Sequence, residues 1–114
     1  MSEGLTFDHY QEKTSDTAIY PGQGEVMGLA YVGLGLGEAG EIQGKIKKIL
    51  RDSNGVITDE VKKALAKEGG DLQWYLARLA SELGITLGEM AQGNLDKLFD
   101  RRDRGVLGGS GDDR

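Results

Sequence analysis

Thr58-Asp59-Glu60 opens the run TDEVKKALAKEGGDLQWYLARLASELG (58–84), which reads as one long helix. Thr58 is a good cap, and Asp59 and Glu60 sit where the positive end of the helix dipole favours acids. At ~100° per residue with Leu72 as reference, Val61, Leu65, Leu76, Leu79 and Leu83 fall within about 40° of it, an apolar face. Gly84 stands where a C′ residue ends the helix. Glu68 then falls at about −40° and Asp71 at about −100° from the stripe, one carboxylate inside the core face and one on its edge. Trp74, about 160° from the stripe and beside Arg78, is expected on the outer side as an anchor for a second subunit.

Upstream, a helical pattern runs from about residue 25 to 50. With Ile42 as reference, Gly35, Ala39, Ile46 and Ile49 lie within about 60°, Glu38 at about −40° and Glu41 at about −100°. The pairs Glu38/Glu41 and Glu68/Asp71 thus share their spacing and their offset from the stripe. The turn Asp52-Ser53-Asn54-Gly55 joins the two helices, so they are expected to be antiparallel. Thr6 caps a first helix reaching about residue 17, and Tyr20-Pro21-Gly22 marks a break over 18–24. Thr86 and Glu89 form a capping box for a last helix ending near Arg102. The expectation is an all-α domain over 5–104 and a flexible tail over 105–114, GVLGGSGDDR.

The 114 residues carry 14 Lys plus Arg against 19 Asp plus Glu, a net charge of −5, which argues against a clamp for nucleic-acid polymers. Hydrophobic residues are 38%, lean for so small a domain, which points to a core completed by a second copy of the chain. There is no cysteine and one histidine, so any bound metal must sit on carboxylates, which suit Mg²⁺ or Mn²⁺.

An acid on a core face is costly unless it is paired or holds a metal. Each acid could meet a Lys or Arg, or reach solvent at a helix edge. Two matched pairs on adjacent helices instead offer Glu38, Glu41, Glu68 and Asp71 as a ligand set for divalent cations. On the last helix, Leu87, Ala91 and Leu98 form the apolar stripe, and Asn94, Lys97 and Arg101 share one edge. Lys45 and Lys48 flank Glu38 and Glu41. These cations either pair along their helices, as Glu41 with Lys45, or meet phosphate oxygens beside the metal.

One local pattern points elsewhere. Gly35-Leu36-Gly37-Glu38-Ala39-Gly40 is formally GxGxxG and is followed by Asp59, as in dinucleotide-binding folds. That site needs a parallel sheet, and apart from the strand-like 29–32 only Val56-Ile57 could supply a strand. The glycines are better read as allowing close helix approach or leaving room for a substrate near Glu38.

With these residues in place, the chain resembles the MazG-like, all-α nucleotide pyrophosphohydrolases. Their ordered pairs Glu-x-x-Glu and Glu-x-x-Asp are matched by Gly37-Glu38-Ala39-Gly40-Glu41 and by Glu68-Gly69-Gly70-Asp71-Leu72-Gln73-Trp74-Tyr75-Leu76. Lys47-Lys48, Leu83-Gly84-Ile85-Thr86-Leu87 and Asn94-Leu95-Asp96-Lys97 with Arg101 and Arg102 also fit. Asp8-His9-Tyr10-Gln11 and Thr17-Ala18-Ile19-Tyr20-Pro21 look like the compact phage-type members. One position departs: many members double the first acid, and Gly37 stands there.

The resemblance implies a four-to-five-helix bundle assembled as a homodimer or homotetramer. It implies hydrolysis of a nucleoside triphosphate, with dGTP or GTP as first candidates, to the monophosphate and pyrophosphate, shaping or cleaning the nucleotide pool. Mg²⁺, replaceable by Mn²⁺, would sit on the four acids, with Glu38 and Glu41 essential to turnover. Lys97 and Arg101 would stabilise the leaving pyrophosphate, assisted by Lys45, Lys48 and Asn94. Phe7, Asp8, His9 and Gln11 would contact the base. A helical nucleotide-binding or regulatory module without turnover is the alternative. No stretch approaches the ~18 apolar residues of a membrane span, and the start MSEGLTFDHYQEK is too polar for a signal peptide. The expected location is the cytoplasm of a microbial or infected host cell.

Overall fold

The computed structural model describes residues 4–114. Among these residues there is no strand, and the chain is all-helical: α1 (Phe7–Thr14), α2 (Val26–Gly35), α3 (Ala39–Asp52), α4 (Asp59–Glu82) and α5 (Leu87–Asp103). Short 3₁₀ turns, Ser15–Thr17 and Leu36–Glu38, extend α1 and join α2 to α3. The three caps read from sequence are made. The hydroxyls of Thr6, Thr58 and Thr86 accept the backbone N–H groups of His9, Val61 and Glu89 at 3.1, 3.2 and 2.9 Å. Gly84 takes a φ of +72° at the end of α4, a conformation in which a Cβ would be strained. The peptide after it folds back so that the Ile85 N–H donates to the Ala80 carbonyl at 3.0 Å.

α4 is the shared wall, packing against α1, α2, α3 and α5. Its partnership with α3 is antiparallel: Asp52 and Ser53 lie with Glu60 and Val61, Lys45 with Glu68, and Glu38 with Asp71. The GxGxxG stretch lies in this helical chain, and among the described residues no sheet exists to make it a dinucleotide site.

Two expectations are corrected. The helix read as continuous over 25–50 is divided at Leu36–Glu38 by a 3₁₀ turn, although its backbone stays right-handed there. Two features coincide there: glycines weaken the helix, and the Tyr75 ring of α4 packs on Gly35, filling the space of a Cβ. Trp74 and Arg78 do not face outward. Arg78 is buried and Trp74 half-buried beneath the segment 14–20, whose Thr17 hydroxyl accepts the Trp74 indole N–H at 2.9 Å. Because α4 is covered from several sides, its buried residues (Ala77, Arg78 and Ala80) are not confined to one stripe.

The leucine stripe of α4 is itself only partly covered. Leu72, Leu76 and Leu79 are half-buried and Leu83 is exposed. Val32 of α2 is the one large side chain fully buried among the described residues. Ile19, Val26, Leu34 and Leu50 are more than two-thirds exposed. The Cα radius of gyration is 17.2 Å, against about 13 Å for a compact chain of this length. Among the described residues, no helix is long and apolar enough to cross a membrane.

Residues 105–114 form no helix and fold back along α5. There Asp112 meets Lys97 and Arg101, and the Arg114 guanidinium gathers the carbonyls of Val106, Leu107, Gly108 and Gly111.

The Tyr75–Gly35 contact yields a stability prediction. Gly35→Ala should destabilise the fold by about 1–3 kcal/mol, because the ring cannot retreat without repacking. Gly37→Ala, whose Cβ meets open space, should be neutral or slightly stabilising. Urea unfolding of the two variants checks the contrast.

Candidate functional site

The 3₁₀ turn between α2 and α3 delivers Glu38 to the side of α4. There carboxylate oxygens of Glu38, Glu68 and Asp71 all lie within 4.8 Å of one another. Glu38 and Glu68 are half-buried and Asp71 is exposed, so the cluster lies at the mouth of a cleft. Lys45, two turns into α3, brings its Nζ to 3.8 Å from Glu68 Oε1. The within-helix pair Glu41–Lys45 is therefore not the pairing found. One lysine beside three carboxylates leaves surplus negative charge in a small volume, which favours a cation.

Glu41 is not in the cluster. It is exposed, although it has the same offset of about 100° from its stripe as Asp71, which does join the cluster. Gly37, Gly40, Gly69 and Gly70 flank these acids, and beside each of them the space a Cβ would fill is open. These four glycines thus leave room beside the acids, whereas Gly35 serves close packing.

Three residues that the charge pattern does not single out share the cleft with Glu38 and Asp71: Thr17, Trp74 and Tyr75. The helical rule could have found two of them, since Trp74 and Tyr75 lie three and four residues beyond Asp71. The two rings meet edge to face at 5.2 Å between centroids. Burial, then the charges of Tyr31, Glu38 and Asp71, push the Tyr75 hydroxyl above its ordinary pKa. Burial, then Asp71, does the same for Tyr10. A phenol is protonated at neutral pH in any case, and the upward direction keeps both hydroxyls donors into more alkaline solution.

The expected phosphate contacts are dispersed. Lys48 lines a groove with Lys45, Asp52 and Glu60, and of its two lysines Lys45 is the one that meets an acid of the cluster. Asn94 lines a separate apolar groove between α4 and α5. Lys97 and Arg101 both meet Asp112, with nitrogen to Oδ1 distances of 3.3 Å.

The expected base contacts divide in the same way. Phe7 lines the α4–α5 groove with Leu72, Leu76, Met90 and Asn94, a space of about 490 Å³. Asp8 instead caps α5, its Oδ1 accepting the Gly88 N–H at 2.9 Å. Gln11 is a clamp: its Nε2 donates to Ser81 Oγ and the Ile85 carbonyl, both at 3.0 Å, and its Oε1 accepts the Leu87 N–H at 2.7 Å. These bonds join α1 to the α4–α5 connection, leaving the amide little capacity for a base. His9 is exposed, 3.9 Å from Glu12.

The chain is 56% identical over 111 residues to the Gene 37 protein of Mycobacterium phage L5, an alignment spanning 94% of this chain and 97% of that protein. The chain belongs to the Gene 37 protein family. No protein-family profile matches this Gene 37 relative. No solved structure matches it either.

The donor set of this Gene 37 relative fits a hard divalent cation: three carboxylates converge, with open space beside them for water or substrate oxygens. Mn²⁺ should raise the melting temperature by mass action on the folded state. Glu68→Gln combined with Asp71→Asn should abolish that rise, and Glu41→Gln should leave most of it. Because Trp74 lines the same cleft, Mn²⁺ should also quench its fluorescence in the wild type and not in the double variant. Gln11→Ala should cost about 1–3 kcal/mol in chemical denaturation, since it strands the Leu87 N–H, and should leave the Mn²⁺ response unchanged.

Proposed function

We propose that the chain is a metal-dependent nucleoside triphosphate pyrophosphohydrolase of the MazG-like type. It would convert a (deoxy)nucleoside triphosphate, with dGTP or GTP as first candidates, to the monophosphate and pyrophosphate. The observation that carries this reading is the convergence of Glu38, from the turn that leads into α3, with Glu68 and Asp71 of the antiparallel α4, in the order of the motifs read from sequence. In this reading the three carboxylates hold Mg²⁺ or Mn²⁺. When bound, the cation supplies charge neutralisation and activation of water.

The chain's own groups supply the rest. Lys45, beside Glu68, sets a positive charge at the rim of the cleft for phosphate oxygens. Tyr75 lines the cleft with Glu38 and Asp71, and its hydroxyl would be a hydrogen-bond donor for substrate there. The apolar groove lined by Phe7, Leu72, Leu76 and Met90 has the character of a base slot, with Gln73 and Asn94 as its polar groups. In this reading the chain would shape or clean the nucleotide pool in the cytoplasm of a microbial or infected host cell.

The same reading includes a homodimer or homotetramer. Its support is the open leucine stripe of α4, the exposed apolar side chains of α2 and the large radius of gyration. A second copy would bury what one chain leaves in water.

A module that binds nucleotides without turnover is the second reading. The absence of Glu41 from the cluster and the pairing of Lys97 and Arg101 with Asp112 favour it. Product analysis separates the two. Incubation with each standard (d)NTP and Mg²⁺ should release monophosphate and pyrophosphate in equal amounts, and Glu38→Gln should stop it. Diphosphate with orthophosphate would refute the pyrophosphohydrolase assignment, and no product from any nucleotide would favour the silent module. Light scattering should give at least twice the 12.3 kDa chain mass, and a monomer at micromolar concentration would remove the oligomer from the reading.

A further inference from the structure

Lys97 and Arg101 stand one helical turn apart on α5 and converge on a single acid from residues 105–114. Lys97 Nζ reaches Asp112 Oδ1 at 3.3 Å. Arg101 Nη2 reaches the same oxygen at 3.3 Å and the Asp112 backbone carbonyl at 2.6 Å. The two sides of the contact are unlike in burial. Arg101 is buried at 4% exposure, whereas the Asp112 side chain is 84% exposed. With the loop in place the Arg101 side chain is enclosed, while the carboxylate that meets it stays open to water.

The guanidinium also retains unused capacity. Its Nε is buried with no hydrogen-bond partner among the described residues, although such donors are nearly always satisfied in folded proteins. A carboxylate offers two oxygens and one negative charge. A phosphate group offers more of both, in a geometry that an arginine fork and a lysine match well. The pair of cations thus suits a phosphate at least as well as the single carboxylate oxygen that now bridges them.

The segment carrying Asp112 is a shaped loop. The Arg114 guanidinium donates to the carbonyls of Val106, Leu107, Gly108 and Gly111. Arg104 Nη2 donates to the Arg114 backbone oxygen at 2.6 Å. Gly105, Gly109 and Gly111 have φ values of +73°, +101° and +87°, which let the chain coil this tightly. The loop is anchored by its own arginine and presents one carboxylate to two cations.

We propose that this loop is an intramolecular competitor: Asp112 occupies a phosphate seat made by Lys97 and Arg101, and an oligophosphate must displace it to bind. The inference rests on the reading of those two residues as phosphate contacts, and it adds regulation of that contact. The seat lies one turn beyond Asn94, which lines the groove holding Gly69, the neighbour of Glu68.

The test is calorimetric titration of the full chain with inorganic tripolyphosphate in EDTA, which keeps the acidic cluster out of the measurement. Because the Asp112 side chain is mostly exposed, its competition is modest, and Asp112→Asn should tighten binding by about threefold. Arg114→Ala, which loosens the loop without touching the seat, should tighten it in the same direction. Lys97→Ala added to Asp112→Asn should remove the gain. Equal affinity in the wild type and both loop variants, or no binding in any of them, would overturn the proposal. Pyrophosphate release from a nucleotide is assayed separately. Tightening without turnover would refute the hydrolase reading and leave the competitor standing, and turnover without tightening would do the reverse.

Discussion

Arg78 buries its guanidinium among uncharged partners. Nε donates to the Tyr20 hydroxyl at 3.4 Å, Nη1 donates to the Thr14 hydroxyl at 3.3 Å, and the Tyr20 ring centroid lies 5.9 Å away. Removing a charge from water is costly unless its hydrogen bonds are replaced. Here the replacements come from Thr14 at the end of α1 and from Tyr20 in the segment after it, so that stretch must lie across α4. Tyr20 passes the network on, donating to Glu82 at 3.3 Å, and Glu82 accepts the Gly24 N–H at 2.9 Å. The loop before α2 is thereby fixed to α4 at a point more than one turn beyond Arg78. Tyr20 also stacks on Tyr31 of α2 at 5.1 Å and meets Trp74 edge to face at 6.2 Å.

The placement of the acids follows from this arrangement. With α2 held against α4, Gly35 meets the Tyr75 ring and the chain tightens into the 3₁₀ turn that ends at Glu38. Glu38 is therefore positioned by packing on the same helix that carries Glu68 and Asp71. Thr17, Trp74 and Tyr75 serve both purposes, closing the fold on one side and lining the acidic cleft on the other. A loss of packing around Arg78 and a loss of the cleft's geometry are thus expected to be coupled.

The charges follow a related pattern of internal pairing. Lys45 meets Glu68, Lys97 and Arg101 meet Asp112, and Arg104 meets Asp100. Since several of these contacts are exposed, each contributes little to stability. Their greater consequence is electrostatic. They leave the acidic cleft negative while offsetting the cations of α5, and the neighbouring Lys97 and Arg101 hold Asp112 below the usual carboxylate pKa.

The helices themselves were legible in the sequence because their signals are local. Threonine caps at 6, 58 and 86, Gly84 in the left-handed region and the apolar spacing of α4 all act within a turn or two of chain. The same angular arithmetic gave Glu38, Glu68 and Asp71 correctly as neighbours across two helices. It placed Glu41 with them as well, because it described a stripe and not the width of the cleft. Other decisions depended on contacts between residues far apart in sequence. No local rule shows that Gln11 will clamp the α4–α5 connection, that Asp8 will cap α5, or that Trp74 will be covered by Thr17. Periodicity identifies which side chains share a helix face. Only the packing of the other helices around α4 decides which faces are covered, and hence which polar groups are engaged by the fold and which remain open to a ligand.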